Sequence, residues 1–400
     1  MRISIPSIPE QATRATIEYT LENATNMVSE FISAAKGKAL IMTGAGVSVD
    51  SGIAPYRGEN GHYTVHTTYR PIWHSEFVDK TEKGHVARQR YFARSYLGFP
   101  PVRVAKPNIT HHAIAAIQRL GYVPEYITQN VDNLHHAATP SASLAQASIL
   151  ELHGSLARVI CVSSPDGFHK GNQTNPVDPD FYDLMKSTTY LRRPRAVSVR
   201  PENTPTGANY PLGCGFEGSR AVFQDELTRL NPAWAELQQE MARTGKSPKT
   251  NPDGDVDLNS HNVDYSTFKY PSCPNCGGVL KPAVIFFGES VPNQLRDHSF
   301  QMVDNASAML LVGTSLATYS AYRLVKQAVE AKKPVMILNK GPTRADPIVE
   351  NKIELGSSEV LQGVARNLSN GREKNDKVLQ SLLSSGVTIR PNEASGVISS

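Results

Sequence analysis

Apolar residues gather in five short, nearly continuous runs, at 38–43, 124–128, 284–287, 309–312 and 334–338. Runs of this length without alternation suit strands covered on both faces, as in a parallel sheet. Between them the apolar positions recur at helical spacing. Ile17, Leu21, Val28, Phe31 and Ile32 precede the first run, and residues 112–120 the second; 295–306 lie between the third and fourth, and 322–331 between the fourth and fifth. Strands alternating with helices of that length predict a doubly wound α/β domain.

Two stretches break the rhythm. Residues 57–105 are rich in His, Tyr and Arg and read as a helical excursion after the first strand and its loop. Residues 158–281 hold all four cysteines, many prolines and few long apolar runs, and read as a small module inserted between two strands of the main sheet. Within it, 162–213 carries seven prolines and mixed charge, the composition of a loop or partly disordered insertion. The expected organisation is a main domain of residues 1–157 and 282–370, a small module of 158–281, and a polar tail, 371–400, with a loosely docked helix and a frayed end.

Composition narrows the function classes. At 40% hydrophobic and 20% charged, the 400 residues have an ordinary globular make-up with enough apolar surface for a sizeable core. The net charge of +4, from 41 basic and 37 acidic residues, is too even for a general polyanion binder, so no nucleic acid is expected as the main ligand. No run approaches the roughly 18 apolar residues of a membrane helix, and no membrane partner is expected. The first 30 residues carry Arg2 and Arg14 but also Glu10, Glu18, Glu22 and Glu30, which matches neither an acid-poor presequence nor an apolar secretory signal.

Candidate chemistry collects where the apolar runs end. The first run leads into Thr43-Gly44-Ala45-Gly46-Val47-Ser48. Glycines at the carboxyl end of a strand let the backbone approach a pyrophosphate, and a following helix N-terminus supplies N–H donors. A third fingerprint glycine is missing, because position 49 is valine, so an ordinary tight turn remains the rival and a dehydrogenase is disfavoured. The second run ends in Gln129, Asn130 and Asp132, which can bind an amide and ribose hydroxyls, or form an Asx-capped turn. His153, in Glu151-Leu152-His153-Gly154-Ser155, is a candidate general base, with His135 and His136 as competitors. Gly313, Thr314 and Ser315 end one later run and Asn339, Lys340 and Gly341 the next, both suited to an adenosine ribose and phosphates.

The cysteines point to metal. Cys273-Pro274-Asn275-Cys276-Gly277-Gly278 is a knuckle whose two-residue gap lets both thiolates face one ion. Only Cys161 and Cys214 remain as a second pair, separated by 52 residues. With all four used, one tetrahedral structural Zn²⁺ closes; the alternative is a two-cysteine remnant without metal.

Taken together, T-G-A-G-V-S-V-D-S-G-I, T-Q-N-V-D-N-L-H, E-L-H-G-S, C-P-N-C-G-G, L-K-P-A-V-I-F-F-G-E, V-G-T-S-L and I-L-N resemble, in order, the motifs of the sirtuin family of NAD-dependent protein deacylases, over roughly residues 36–365. The stretches 90–94, 230–234, 252–256 and 341–344 resemble its class II branch, in particular the mitochondrial type associated with lipoamidase, deacylase and ADP-ribosyltransferase activities. The resemblance implies a Rossmann-like NAD-binding sheet with an inserted zinc module. It places Gly44, Ala45, Gly46, Ser48, Tyr56 and Arg57 in the cofactor loop and Gln129, Asn130 and Asp132 at the nicotinamide and its ribose. Gly313, Thr314, Ser315, Asn339, Lys340, Gly341 and Ser357 fall on the adenosine side. His153 matches the catalytic histidine, and Phe287, Gly288 and Glu289 the strand edge on which a peptide substrate lies. The stretch from Cys214 resembles the segment after the second cysteine of the family's first C-x-x-C, which implies a knuckle split by the insertion between Cys161 and Cys214.

The implied reaction is NAD-dependent removal of an acyl group from protein lysine, with transfer to ADP-ribose and release of nicotinamide. Tyr91 and Arg94 match the Y-x-x-R of members that prefer acidic acyl groups, and i, i+3 positions share a helix face. One departure stands out: the family's G-I-P-D-F-R-G reads Gly52-Ile53-Ala54-Pro55-Tyr56-Arg57-Gly58 here, with the proline shifted and the aspartate absent. Protein mono-ADP-ribosyl transfer and a catalytically weak NAD-responsive binding protein stay open as alternatives. Mitochondrial localisation is implied by resemblance alone, with cytoplasm or nucleus as the alternative.

Overall fold

The computed structural model describes residue 8 and residues 19–57, 61, 70–162, 213–245 and 263–389. Residues 163–212 of the insertion, the motif at 252–256 and the last residues of the tail therefore lie outside the described residues. Nine strands are described: β1 (Ala39–Thr43), β2 (Tyr126–Thr128), β3 (Ile149–Glu151), β4 (Gly154–Cys161), β5 (Glu217–Ser219), β6 (Leu280–Val284), β7 (Ala308–Val312), β8 (Val335–Leu338) and β9 (Asn351–Ile353). The described residues fall into two compact units, one drawn from 1–65, 105–153 and 291–394, the other from 66–104 and 154–290.

The first unit is a six-stranded parallel sheet in the order β3-β2-β1-β7-β8-β9. This is the doubly wound arrangement, with the order reversing between β1 and β7. Every residue of β1, β7 and β8 is buried, because both sheet faces are covered. Ile41, Leu310 and Val312 point into a core shared with Val28, Ile32, Ile114, Ile117, Val360 and Val364. Their chain neighbours Leu40, Met42, Met309 and Leu311 point the other way, onto Met302, Leu324 and Val325. A period of two with both phases apolar is what a continuous hydrophobic run encodes.

Helices Leu21–Ala34, Ile109–Arg119, Asn293–Asn305 and Tyr319–Glu330 occupy the four expected helical stretches. The tail does more than dock loosely: helix Lys377–Ser384 buries Leu379 and Leu382 in the same core as the helix Ile109–Arg119.

The second unit carries a three-stranded antiparallel sheet, β5-β4-β6, and an aromatic core of Phe77, Phe92, Phe223, Trp234 and Phe268. Residues 57–105 supply its helices His74–Phe77 and Glu82–Val104, beside Arg220–Leu230 and Pro232–Thr244 from the inserted module. Here the strand expected at 284–287 is corrected. The strand is β6, it ends at Val284, and it pairs antiparallel with β4 instead of joining the parallel sheet. Pro282 sits in it without cost because β6 is an edge, and Phe286 is apolar because it packs into the aromatic core. β3, β4, β5 and β9 went unforeseen; the edge strand β9, Asn351-Lys352-Ile353, buries only Ile353 and has too few apolar positions to stand out. Among the described residues no helix is long and apolar enough to cross a membrane.

Candidate active site and cysteine cluster

At the point where the sheet order reverses, backbone packs on backbone. Gly44 N–H donates to the Val312 carbonyl at 3.1 Å and Gly46 N–H to the Gly313 carbonyl at 2.8 Å. A Cβ on Gly44 would stand 2.6 Å from Thr314 Cβ, and one on Gly46 2.8 Å from Gly313 O. Gly313, at φ +57°, would bring a Cβ within 2.7 Å of Val47 N. These glycines admit no side chain, and they leave Ala45–Ser48, a short 3₁₀ turn, to follow directly on β1.

The polar strand ends converge here by hydrogen bonds. Gln129 Nε2 donates to Thr314 Oγ1 at 2.8 Å. Asn130 Nδ2 donates to Ser48 Oγ at 3.1 Å, and Ser48 Oγ donates to Asp132 Oδ2 at 2.7 Å. Burial raises the Asp132 pKa above the ordinary carboxyl value, opposed by the N–H of Leu134 and the Ser48 hydroxyl. At the next strand, Asn339 Nδ2 donates to the carbonyls of Lys340 and Gly341, while Ser315 O accepts from Arg344 N. Ser357 opens the helix Ser357–Ser369, its hydroxyl 2.9 Å from Thr110 Oγ1. Ala54 and Tyr56 are exposed in the loop after β1, with Arg57 half-buried beside them.

His153 is held from both sides. Its Nδ1 lies 3.2 Å from the Gln129 carbonyl, which can only accept, so Nδ1 carries the proton. Nε2 is then the nitrogen with the lone pair, and it accepts from the Ser320 hydroxyl at 2.8 Å. Desolvation lowers the pKa to about 4, only partly offset by the Gln129 hydrogen bond, so the ring is neutral at pH 7. The arrangement is a poised proton acceptor. Ser320 was missed in the sequence: a serine in the second position of a helix carries no signal of its own.

The two competing histidines have other partners. His135 is buried, with Nε2 2.9 Å from Thr43 Oγ1 and its ring against His111 and Tyr126. His136 Nδ1 lies 3.4 Å from Glu151 Oε1. Burial lowers the His135 pKa to about 3 and that of His111 well below its usual value. Both rings stay neutral in the fold and titrate near 6.5 once unfolded, so the unfolded chain binds the extra protons. Stability is therefore expected to fall as the pH drops below about 6.5, by about 2 kcal/mol at pH 5 for one such imidazole. Urea midpoints at pH 7.5 and pH 5 measure it; equal midpoints would refute it.

In the second unit, Tyr91 and Arg94 lie one turn apart on the helix Glu82–Val104. The Tyr91 ring packs edge-on to Phe77 and Phe92 and lies 4.9 Å, centre to centre, from Phe286. Arg94 Nη1 donates to the Arg70 carbonyl at 3.3 Å. Phe287, Gly288 and Glu289 form a turn after β6.

The four cysteines come together. Their sulfurs all lie within 4.8 Å of one another, with Cys161–Cys276 and Cys214–Cys273 at 3.6 Å. Four thiolates about 2.3 Å from one Zn²⁺ would be about 3.8 Å apart, so the set fits a tetrahedral ion. Cys161 ends β4, and its N–H donates to Phe216 O, which draws in Cys214. The knuckle turns through Gly277, at φ +72°, whose N–H donates to Cys273 O. Hydrogen bonding with Cys161, and burial after it, push the Cys273 thiol up, and the spacing of the four sulfurs is one that could hold a metal ion.

Known proteins share this architecture. A family model described as Sir2 family matches residues 44–195 and 241–320. The NAD-dependent protein deacylase SIR4 of Batrachochytrium dendrobatidis is 38% identical over 352 residues, covering 87% of this chain and 96% of that protein. The NAD-dependent protein lipoamidase sirtuin-4, mitochondrial, of Bos taurus is 34% identical over 334 residues, 84% of this chain and 83% of that protein. A solved Sir2 homologue in complex with NAD superimposes with a TM-score of 0.52 at 21% identity, over 86% of this chain and 94% of the other, a likeness of fold. The glycine-lined reversal of the sheet, the motif order and these relatives converge: the chain belongs to the Sir2 family.

Proposed function

We propose that the chain is an NAD-dependent protein-lysine deacylase in which His153 is the general base. The observation that carries this reading is the state of that imidazole: neutral, with Nδ1–H tied to Gln129 and the Nε2 lone pair turned toward a hydroxyl. NAD, when bound, supplies the ADP-ribose that receives the acyl group as nicotinamide leaves. The residues that would hold it are Gly44, Ala45, Gly46, Ser48, Tyr56 and Arg57 in the first loop, and Gln129, Asn130 and Asp132 at the second strand end. Gly313, Thr314, Ser315, Asn339, Lys340, Gly341 and Ser357 would serve the adenosine side. The packing of Gly44 and Gly46 on Gly313 and Thr314 supports the fit, since it brings the first loop against the end of β7 where the sheet order reverses, the place at which such sheets bind dinucleotides. His153 accepts a proton from a ribose hydroxyl at Nε2, and the Gln129 carbonyl, already bonded to Nδ1–H, stabilises the imidazolium that results. Cys161, Cys214, Cys273 and Cys276 would hold one Zn²⁺ with no open position, a structural role.

The substrate is an acylated protein or peptide whose main chain pairs with residues 287–289. Tyr91 and Arg94 would grip a carboxylate on the acyl group, phenol and guanidinium giving charge-assisted hydrogen bonds. The likeness to the bovine lipoamidase supports the class II branch and a mitochondrial setting.

An acyl-lysine peptide panel with NAD, read by mass spectrometry for freed peptide and acyl-ADP-ribose, tests the reading. Glutaryl- or methylglutaryl-lysine is expected to exceed acetyl-lysine in kcat/KM, and Arg94→Met to cut that advantage by about 10- to 100-fold, the worth of a charged hydrogen bond. Equal values that ignore Arg94→Met refute the acyl preference. Label passing from NAD to protein without peptide release would replace deacylation by ADP-ribosyl transfer.

A further inference from the structure

Beneath the turn 286–289 lies a polar cluster that the proposed chemistry does not use. Lys281, in β6, has a side chain only 1% exposed. Its Nζ donates to the Val284 carbonyl and, at 3.0 Å, to Glu289 Oε2, and stands 4.5 Å from the centre of the Phe286 ring. The same carboxylate oxygen accepts the Phe286 N–H at 2.8 Å. The other oxygen of Glu289 is 3.6 Å from His74 Nε2. His74 in turn donates its main-chain N–H to the Phe287 carbonyl at 2.9 Å. Trp73 lies over Gly288, where a Cβ would come within 2.6 Å of the indole, and Gly288 holds φ +78°. Glu289 N–H closes the turn on Phe286 O at 3.0 Å.

A buried ion pair adds little net stability over apolar residues of equal size, so stability does not account for this one. What the pair does is directional. Both Glu289 oxygens are engaged inward, so the side chain acts as a strut beneath the turn. A main-chain edge pairs with an extended peptide only when its donors and acceptors sit within a few tenths of an ångström of hydrogen-bonding positions.

We propose that Lys281, Glu289 and His74 are positioning residues, which hold the turn 286–289 in the conformation that pairs with the acylated peptide. This rests on the reading of 287–289 as the peptide-binding edge.

The test compares the full-length wild type with Lys281→Met/Glu289→Leu, which replaces the pair by apolar residues of similar size. At saturating NAD, the KM for the best acyl peptide of the panel is expected to rise about tenfold, with kcat and NAD affinity within twofold and Tm within a few degrees. Hydrogen exchange of the peptide spanning 283–290 should quicken, since the Phe286 N–H loses its acceptor. Should the double variant not fold, His74→Gln keeps the buried pair and is expected to raise KM about threefold. An unmoved KM in a folded variant overturns the proposal while wild-type turnover leaves the deacylase reading standing. A wild type that frees no acyl peptide overturns that reading and this proposal with it.

Discussion

Changing His153 to tyrosine is expected to lower deacylation by at least about 10³-fold, while NAD affinity stays within a few-fold of wild type. The size comes from the proton-transfer step: a positioned base contributes about 10² to 10⁴ to the rate, and a phenol with a pKa near 10 offers no lone pair of comparable basicity at pH 7. The sparing of affinity comes from the site, because the glycines of the β1 loop and the amides of Gln129 and Asn130 remain in place. The same imidazole sets a pH signature. With its pKa lowered to about 4 by burial, kcat/KM in the free enzyme should hold from pH 7 down to about 5 and fall only as the pH passes through about 4. Stopped assays over pH 4.5–8, restricted to the range where the protein stays folded, test that plateau; a fall already near pH 6.5 would contradict it. Peptide release by His153→Tyr at a wild-type rate would reassign the base.

How far the chain is legible without its structure depends on whether a residue's surroundings are local. β1, β7 and β8 are legible because burial on both faces writes an unbroken apolar run, and their ends are legible because a buried strand gives way abruptly to glycine and amides. The same rule misleads at 284–287. There, apolar residues succeed one another because Phe286 fills an aromatic core built from distant helices, while the chain itself has already left the sheet. A run of apolar side chains records burial, not the partner strand.

The gathering of the cysteines is accessible to arithmetic, since four sulfurs and one tetrahedral ion leave no remainder. Ser320 and His74 are not. Each acts through one contact, Ser320 on a histidine 167 positions away and His74 on a glutamate in a turn far along the chain. No periodicity or spacing announces such pairs. The Glu289 side chain shows the converse: its motif points to the substrate edge, yet its oxygens face Lys281 and His74.

Cys214→Ser is expected to lose most of the bound zinc and to lower Tm by about 10 °C. A serine hydroxyl keeps the volume but is not a thiolate, so one of four Zn–S bonds disappears and the site opens to water. Zinc held by this cluster would contribute folding free energy, because the four sulfurs come from separated places: the end of β4, the approach to β5 and the turn before β6. A loss of about 3 kcal/mol, converted at about 2–4 °C per kcal/mol for a unit of this size, gives the expected shift. Metal analysis after dialysis against a mild chelator, beside a thermal melt, measures both. One zinc per chain and an unchanged melt in the serine variant would mean that Cys161, Cys273 and Cys276 suffice, and that the knuckle is not completed across residues 162–213.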